Sequence, residues 1–540
     1  MESPAKLLHQ LKRRVQAVTY GSPIYRMMLE QGPLPDRLRL SVPDRWPGDA
    51  KQGQLLIANQ QGLFDLDAPL RAERKRKLLT HDCLRDLRAV GTDSARRKSI
   101  SLIHEWIDDQ EPWDEDSWLP CVLGARLSNW VAFYDFYSPL ASHDFRQQLI
   151  LNMVRQLRHL QHASHAGLSG LDGLYAVKGL VFGGLCLIDG EKSLSMALDL
   201  LKRLLDAEIL TDGGHISRNP QMHADMLRVL IDIREALNVA KIEIPHELSL
   251  AVTRMTPVLK FFRHGDGGLA LFNGAHEGAS LLLEATLTLS EAKGRVLKRL
   301  PHMGYERMTA GRSLLLVDVA GPPPRPYDQR AHAGLMSFEF SVGKERLLTN
   351  CGAGLEGDSQ WQQAMALTAA HNTITLCDTN ACELLPDGGI GYRPREVESQ
   401  RYEQQGQQFI DVFHDGYIPR LKVGVQRILG LSPDGDELRG KEILMGPKGR
   451  DFSVRWHIHP DVNVLLAQDG ASALLRTPSG IGWRLRVFGA SREDFALETS
   501  VYCGRGSARR TLQLRVSGHI VETPTFVEWT LTREKSKKGG

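Results

Sequence analysis

Two histidines in the second half of the chain lie in segments that suit chemistry. His371 is followed by Asn372 and the run Thr373–Leu376, and His332 lies within Ala331–Glu339. A histidine exchanges protons near neutral pH and binds divalent metals through its ring nitrogens. A histidine beside a strand is by default a hydrogen-bonded structural residue, so both interpretations stay open at this point.

A second group of polar residues flanks Pro220, at the predicted start of a helix. The group consists of Arg218, Asn219 and His223. Backbone N–H groups at a helix start add positive potential, so Arg218 and Asn219 suit a carboxylate and His223 suits a base. The alternative is that Asn219 only caps the helix.

A third group of candidates lies in the aromatic segment Trp106–Tyr137, which holds four of the nine tryptophans. Aromatic faces stack on the C–H faces of sugars, and Trp130 has the polar neighbours Asn129 and Arg126. These three residues are therefore candidates for binding a sugar. The alternative is that the aromatic rings pack in the core of a helical domain.

The elements that must position these groups change their period near residue 305. From about residue 116 to 295, apolar residues recur every three or four positions, as in Leu149, Met153, Leu157 and Leu160. This spacing predicts a succession of helical hairpins. After Arg312 the period is two, with turns such as Asp469-Gly470, which predicts a large antiparallel β-sandwich.

The chain is thus predicted to be a multidomain α+β protein with three parts. Residues 1–30 form a basic N-terminal segment, residues 31–305 a helical domain and residues 306–535 a two-sheet sandwich. The length of 540 residues is too great for one ordinary core.

Composition limits the compartment and the cofactors. The seven cysteines are scattered and form no CxxC pair, which favours a reducing compartment. The N-terminus has no secretory apolar stretch and no window suits a membrane span, so a cytoplasmic location is expected. The phosphate-binding G-x-x-x-x-G-K-[ST] motif is absent from the sequence.

Several segments in order resemble the heparinase II/III-like family of polysaccharide lyases. In the helical half they are Asp212–Pro220 and Gly265–Gly274. In the β half they are Ala331–Glu339, Leu347–Gly352, Ala369–Thr373, His457–Val462 and Gly482–Arg484. The resemblance implies an incomplete α/α toroid followed by an antiparallel β-sandwich, and β-elimination on a uronic-acid-containing polysaccharide or oligosaccharide.

The resemblance also assigns expected roles to the candidate residues. Such a reaction must neutralise the uronate carboxylate, remove a proton and protonate the leaving oxygen. The expected catalytic residues are His371, His223, Asn219 and Arg218, and the expected substrate-binding residues are Asn372, Trp130, Asn129 and Arg126. No cofactor is required and no nucleic-acid partner is expected.

The resemblance implies one optional metal site as well. In the family, a structural divalent ion braces the sandwich, and the matching positions here are His332, Asn350 and His371. Asparagine in place of an acid removes a charge and weakens a zinc or calcium site.

One departure from the family pattern bears on catalysis. Lyases of this group carry a catalytic tyrosine in the helical half, and the comparable position here is Met222, which cannot transfer a proton. Tyr175 and Tyr305 are the possible substitutes. The alternative function is therefore a non-catalytic, carbohydrate-binding or glycan-processing accessory protein on the same scaffold.

Overall fold

A computed structural model describes residues 15–58, 78–110, 113–164, 167–187, 190–355, 357–489 and 493–534. The chain divides into two compact units. The first comprises Met1–Glu208 and Asp225–Val252, and the second comprises Ile209–Ala224 and Thr253–Gly540. Two segments before residue 306 thus belong with the strands. Of the basic N-terminal segment, residues 1–14 lie outside the described part.

The first unit is built from helices. They are Pro23–Glu30, Ala50–Ala58, Cys83–Val90, Asp93–Gln110, Pro120–Ala132, Tyr134–Tyr137, His143–Ala163, Gly170–Cys186 and Glu191–Glu208. Two further helices, Pro220–Val239 and His246–Phe261, run across the unit boundaries. Among the described residues, no helix is both long enough and apolar enough to cross a membrane.

The helices form where the apolar period predicts them. In His143–Ala163, Ser142 caps the first turn through Phe145 N, and Leu149, Met153, Leu157 and Leu160 are all buried. Glycine allows the tightest helix pair to approach. A Cβ atom at Gly179 would lie 2.3 Å from Cα of Gly124, so Gly170–Cys186 and Pro120–Ala132 pack with their backbones close together.

The second unit contains the described strands, in three antiparallel sheets. A five-stranded sheet runs β1 (Arg299–Leu300), β2 (Tyr305–Ala310), β3 (Ser313–Asp318), β4 (Phe338–Val342) and β5 (Glu345–Leu348). A four-stranded sheet has the order β15-β16-β11-β6, with β6 Ile374–Leu376, β11 Asp451–His457, β15 Phe495–Tyr502 and β16 Arg509–His519.

The largest sheet has eight strands in the order β12-β13-β14-β17-β10-β9-β8-β7. Their bounds are β7 Val397–Gln404, β8 Gln407–His414, β9 Gly424–Leu431, β10 Glu437–Met445, β12 Asn463–Leu466, β13 Ser472–Arg476, β14 Gly482–Phe488 and β17 Thr525–Arg533. The unit also holds the helices Ser280–Ser290, Ser359–Ala366 and Ile418–Leu421.

The sequence predicted two sheets, and the described strands form three. The five- and four-stranded sheets meet at the bridge Leu348↔Ile458 and the bond from Thr349 N to His457 O. Both sheets contribute to one apolar core with the eight-stranded sheet. The extra division arises because β5 and β11 pair over too few residues to make one continuous ladder.

Three aromatic side chains join the three sheets at the centre of this core. Trp529 of β17 stacks on Phe338 of β4 at 5.7 Å and meets Trp456 of β11 edge-on at 5.4 Å. All three are buried. Their contacts combine apolar burial with favourable ring geometry, so Trp529 links all three sheets.

Candidate functional site

Two Asp-Gly-Gly turns, at residues 212–214 and 266–268, precede loops of the site and have the same hydrogen-bonding pattern. In each turn the aspartate carboxylate accepts a hydrogen bond from the backbone N–H two residues later. Gly214 N donates to Asp212, and Gly268 N donates to Asp266. The middle glycines have φ of 84° and 88°, a left-handed conformation that glycine adopts without strain. Each turn is closed by an antiparallel bridge, Ile209↔His215 and Arg263↔Leu269.

Arg218 lies just after the first turn and is a buried structural hub. Its guanidinium pairs with the buried Asp318 carboxylate, and burial raises the pKa of Asp318 while Arg218 opposes that rise. The remaining donors reach the backbone carbonyls of Met303, Gly304, Ala320 and Gly321. All its polar atoms have partners within the protein, which favours a structural role over the predicted contact with substrate.

Asn219 and His223 are also used internally. Asn219 Oδ1 caps the helix Pro220–Val239 by accepting from Met222 N at 2.9 Å, which matches the alternative interpretation of this residue. His223 is fully buried and its Nε2 donates to Met255 O at 2.9 Å. Burial lowers the pKa of His223 to about 4, so its ring is a weak base.

Asn273 connects this group to His332. Its carbonyl accepts from Asn219 Nδ2 at 2.7 Å, and its side-chain Oδ1 accepts from His332 N at 3.3 Å. Asn273 Nδ2 donates to the Tyr305 hydroxyl, which in turn donates to Arg218 O. The two predicted clusters are therefore neighbours, joined by one asparagine.

His332 and His371 form a directly bonded pair whose tautomers follow from their partners. His332 Nδ1 lies 3.1 Å from His371 Nε2, and His371 Nδ1 lies 2.9 Å from Leu367 O. Because a carbonyl only accepts, His371 carries its proton on Nδ1 and accepts at Nε2. Neutral His332 must then donate from Nδ1, which leaves a lone pair on its Nε2.

Both rings are neutral at neutral pH. Burial lowers the pKa of His371 to about 4. Burial, together with the His371 and His276 rings, holds the pKa of His332 well below its usual range. The two uncharged histidines therefore present the lone pair of His332 Nε2 in a fixed direction.

Asn350 and Asn372 tie strands together beside this pair. Asn350 Oδ1 accepts from Asn372 N and its Nδ2 donates to Leu271 O. Asn372 Nδ2 donates to Phe338 O and its Oδ1 accepts from His457 N. Both asparagines are buried with their amides satisfied, so the predicted contact of Asn372 with substrate has no free donor here.

Zinc or calcium binding by His332, Asn350 and His371 stays a prediction, and the two histidines of this set face each other at 3.1 Å. Both ring nitrogens of His371 and both amide atoms of Asn350 already have protein partners. Within the described ranges, no group of three histidine, cysteine or acidic side chains is arranged to hold a metal. Of these three residues, His332 is the one with a ring nitrogen, Nε2, that bonds to no described protein atom.

A cavity of about 470 Å³ opens beside His332, entirely within the second unit. This volume falls in the range of small-ligand sites. Its polar lining comprises His276, His332, Arg330, Gln221, Gln329, Gln362, Gln363, Ser359 and Asp387. The helix Ser359–Ala366 carries Gln362 and Gln363, and the turn Leu384–Gly389 also lines the cavity.

The aromatic group of the first unit is packed in its core. Arg126 stacks over the Trp106 ring at 4.0 Å and donates to Gln156 and two backbone carbonyls. Trp130 donates to His81, and Asn129 donates to Thr80 O and Asp82. Arg126, Asn129 and Trp130 are all buried. The core-packing alternative accounts for these contacts, and sugar stacking does not.

The sequence pointed to His332 and His371 but missed most of the cavity wall. Gln221 directly follows the Asp212–Pro220 segment, and His276 comes two residues after the Gly265–Gly274 segment. Both are loop or helix-start residues with no periodic signal. Their nearness to motifs that resemble the family was the one available indication.

Comparisons with known proteins agree with this architecture. A family model described as heparinase II/III-like, C-terminal, matches residues 292–530. The solved structure of heparinase III has a TM-score of 0.72 at 11% identity, covering 94% of this chain and 88% of that one. Heparan sulfate lyase HepC from Pedobacter heparinus has a TM-score of 0.61 at 13% identity, covering 95% and 86%. These likenesses confirm the predicted toroid and sandwich.

A full-length relative is more similar in sequence. FtsZ-localized protein C from Caulobacter vibrioides (strain NA1000 / CB15N) is 30% identical over 557 residues, covering 96% of this chain and 94% of that protein. The similarity therefore extends through both the helical half and the strands. Together with the matched C-terminal domain and the heparinase III fold, it shows that this chain belongs to the heparinase II/III-like family.

Proposed function

We propose that this protein binds an acidic oligosaccharide in the His332 cavity without cleaving it. The observation that carries the proposal is the composition of the cavity wall. It offers two histidines, four glutamines, an arginine, a serine and one aspartate, and among the described residues no tyrosine lines it. The lyase scaffold would then serve recognition rather than catalysis.

The wall suits a uronate sugar. Glutamine amides donate and accept at once, which matches the paired hydroxyls of a sugar ring. Arg330 is exposed at the wall and suits a carboxylate or sulfate through charge-assisted bonds. His332 Nε2 can accept a hydrogen bond from a sugar hydroxyl, because the His332 tautomer is fixed by His371.

In the family pattern a tyrosine takes part in the proton transfers of β-elimination, and no described tyrosine lines this wall. Met222 occupies the position where the family pattern has tyrosine. The substitute Tyr305 is buried, bonded to Arg218 O and Asn273, and burial raises its pKa far above the usual range. Tyr175 lies in the first unit and does not line the cavity. The leaving oxygen would therefore have no tyrosine as its acid.

Calorimetric titration and ultraviolet absorbance together test the proposal. The probes are tetrasaccharides of heparan sulfate, chondroitin sulfate and alginate. At least one should bind, and Arg330→Gln should weaken it about 10-fold, or about 1.4 kcal/mol, through loss of a charge-assisted bond. Arg510→Gln, an exposed arginine outside the cavity, is the matched control and should bind like the wild type.

A weak lyase is the second candidate, favoured by the lone pair on His332 Nε2. Elimination leaves a C4–C5 double bond conjugated to the carboxylate, which absorbs in the ultraviolet, whereas binding alone produces no chromophore. Ultraviolet product that disappears in His332→Gln would replace the binding proposal with this one. Binding without product supports recognition.

The full-length relative supports a proposal about location. Its name places that protein with FtsZ, and this chain is proposed to act with FtsZ in the cytoplasm. A fluorescent fusion expressed in Caulobacter vibrioides should coincide with labelled FtsZ. Uniform fluorescence throughout the cell, from a fusion of intact length, would contradict the shared location. It would not affect the proposal that the cavity binds a sugar.

A further inference from the structure

The outer face of the eight-stranded sheet carries a second concavity, of about 810 Å³. It shares no lining residue with the His332 cavity. The register aligns one row of residues across six strands. From β14 to β7 the row reads Arg486, Thr530, Arg439, Gly430, Phe409 and Tyr402.

The row is long, and near its centre Gly430 contributes no side chain. Directly opposed residues of neighbouring strands lie on the same face, so these six side chains line one track. At about 4.8 Å between strands, the track spans about 24 Å. Gly430 has no side chain, and a Cβ there would lie 2.6 Å from the Phe409 ring, which therefore lies against the glycine.

Aromatic rings border the track at both ends. Tyr402 and Phe409 stack at 5.1 Å with an interplanar angle of 13° and are both half-buried. Near β14, Phe488 and Phe526 are 52% and 47% exposed, and Lys441 lies 4.3 Å from the Phe526 ring. Exposed rings of this kind offer apolar faces to a ligand.

The charges on this face are neutralised pair by pair. Each of five cations has its own carboxylate, in the pairs Arg439–Glu437, Lys441–Glu528, Arg484–Glu534, Arg486–Asp469 and Arg533–Asp436. A polyanion would have to displace these carboxylates. A neutral chain of hydroxyls would instead meet donors and acceptors fixed side by side.

The geometry points to a second carbohydrate site on this face, for an extended neutral polysaccharide. Its rings would stack on Tyr402 and Phe409, and its hydroxyls would bond to the paired ions and to Thr530. The site is independent of the proposed function, because it uses different residues and a ligand of different charge.

Affinity electrophoresis tests the inference with the full chain. Native gels contain dextran, laminarin or xyloglucan, with heparan sulfate as the acidic probe. The wild type should be retarded in at least one neutral gel at both low and high salt. Phe409→Ala should weaken that retardation at least five-fold, and Arg439→Gln should weaken it as well.

Two controls separate this site from the cavity and from misfolding. Leu465→Ala changes a residue of β12 in the same sheet, 70% exposed and outside the concavity, and should be retarded like the wild type. Arg330→Gln should also retain neutral-gel retardation. No retardation in any neutral gel overturns the inference, as does retardation that Phe409→Ala leaves unchanged. Retardation confined to heparan sulfate and lost in high salt also overturns it.

Discussion

At the scale of single residues, most of the polar groups that resemble the family motifs hold the structure together. Arg218, Asn219 and Asn372 direct their side chains to backbone partners. His332 differs, because its neighbour fixes one ring nitrogen and leaves the other beside a cavity. Sequence patterns identify such residues by type. The hydrogen-bond partners of each side-chain atom are needed to tell a structural role from a binding role.

Arg218→Met should strongly destabilise the second unit. The change leaves the Asp318 carboxylate buried without its ion pair, and an uncompensated buried charge costs about 3–5 kcal/mol. Thermal unfolding followed by circular dichroism measures the loss. Arg254→Met, at an exposed arginine, is the control. Equal stability of the two variants would show that the Arg218 network contributes little.

At the scale of elements, the sequence predicted strand and helix periods well and sheet membership less well. Phe338–Val342 and Arg509–His519, for example, are strands within the region after Arg312 where the sequence has a period of two, because alternation is local. The number of sheets depends on how far distant strands pair. The cavity wall was missed for the same reason, since Gln221, His276 and the turn Leu384–Gly389 come together only through tertiary packing.

Gly440→Ala tests how tightly the sandwich is packed. The new Cβ would lie 2.0 Å from the Trp529 indole, and Trp529 is held by Phe338 and Trp456. Overpacking of this kind costs about 1–3 kcal/mol. Gly482→Ala in β14, whose Cβ would come no closer than 3.3 Å to the side chain of the exposed Glu534, should cost much less. The prediction fails if both variants unfold at the wild-type temperature.

At the scale of the whole molecule, buried neutral histidines make stability depend on pH. Burial lowers the pKa of His223, His371 and His414 to about 4. The unfolded chain therefore binds more protons, and stability, fully present above about pH 6.5, is lost as the pH falls towards 4. Each histidine contributes about 1.4 kcal/mol per pH unit across that window.

Urea unfolding at pH 7.5, 6.0 and 5.0 measures this dependence. The free energy of unfolding should fall with pH, and His414→Gln should reduce the slope below pH 6.5 by about 1 kcal/mol per pH unit. His143→Gln, at an exposed histidine, should leave the slope unchanged. A slope that is the same in all three proteins would contradict the role of the buried rings.

The most direct test of acidic-sugar recognition without cleavage is a crystal structure with a bound heparan sulfate tetrasaccharide. The expected result is sugar density in the cavity within hydrogen-bond distance of His332 Nε2 and Arg330, with every glycosidic bond intact. Density for an unsaturated, cleaved product would contradict the absence of catalysis. An empty cavity, in crystals that hold the sugar elsewhere or not at all, would contradict recognition at this site.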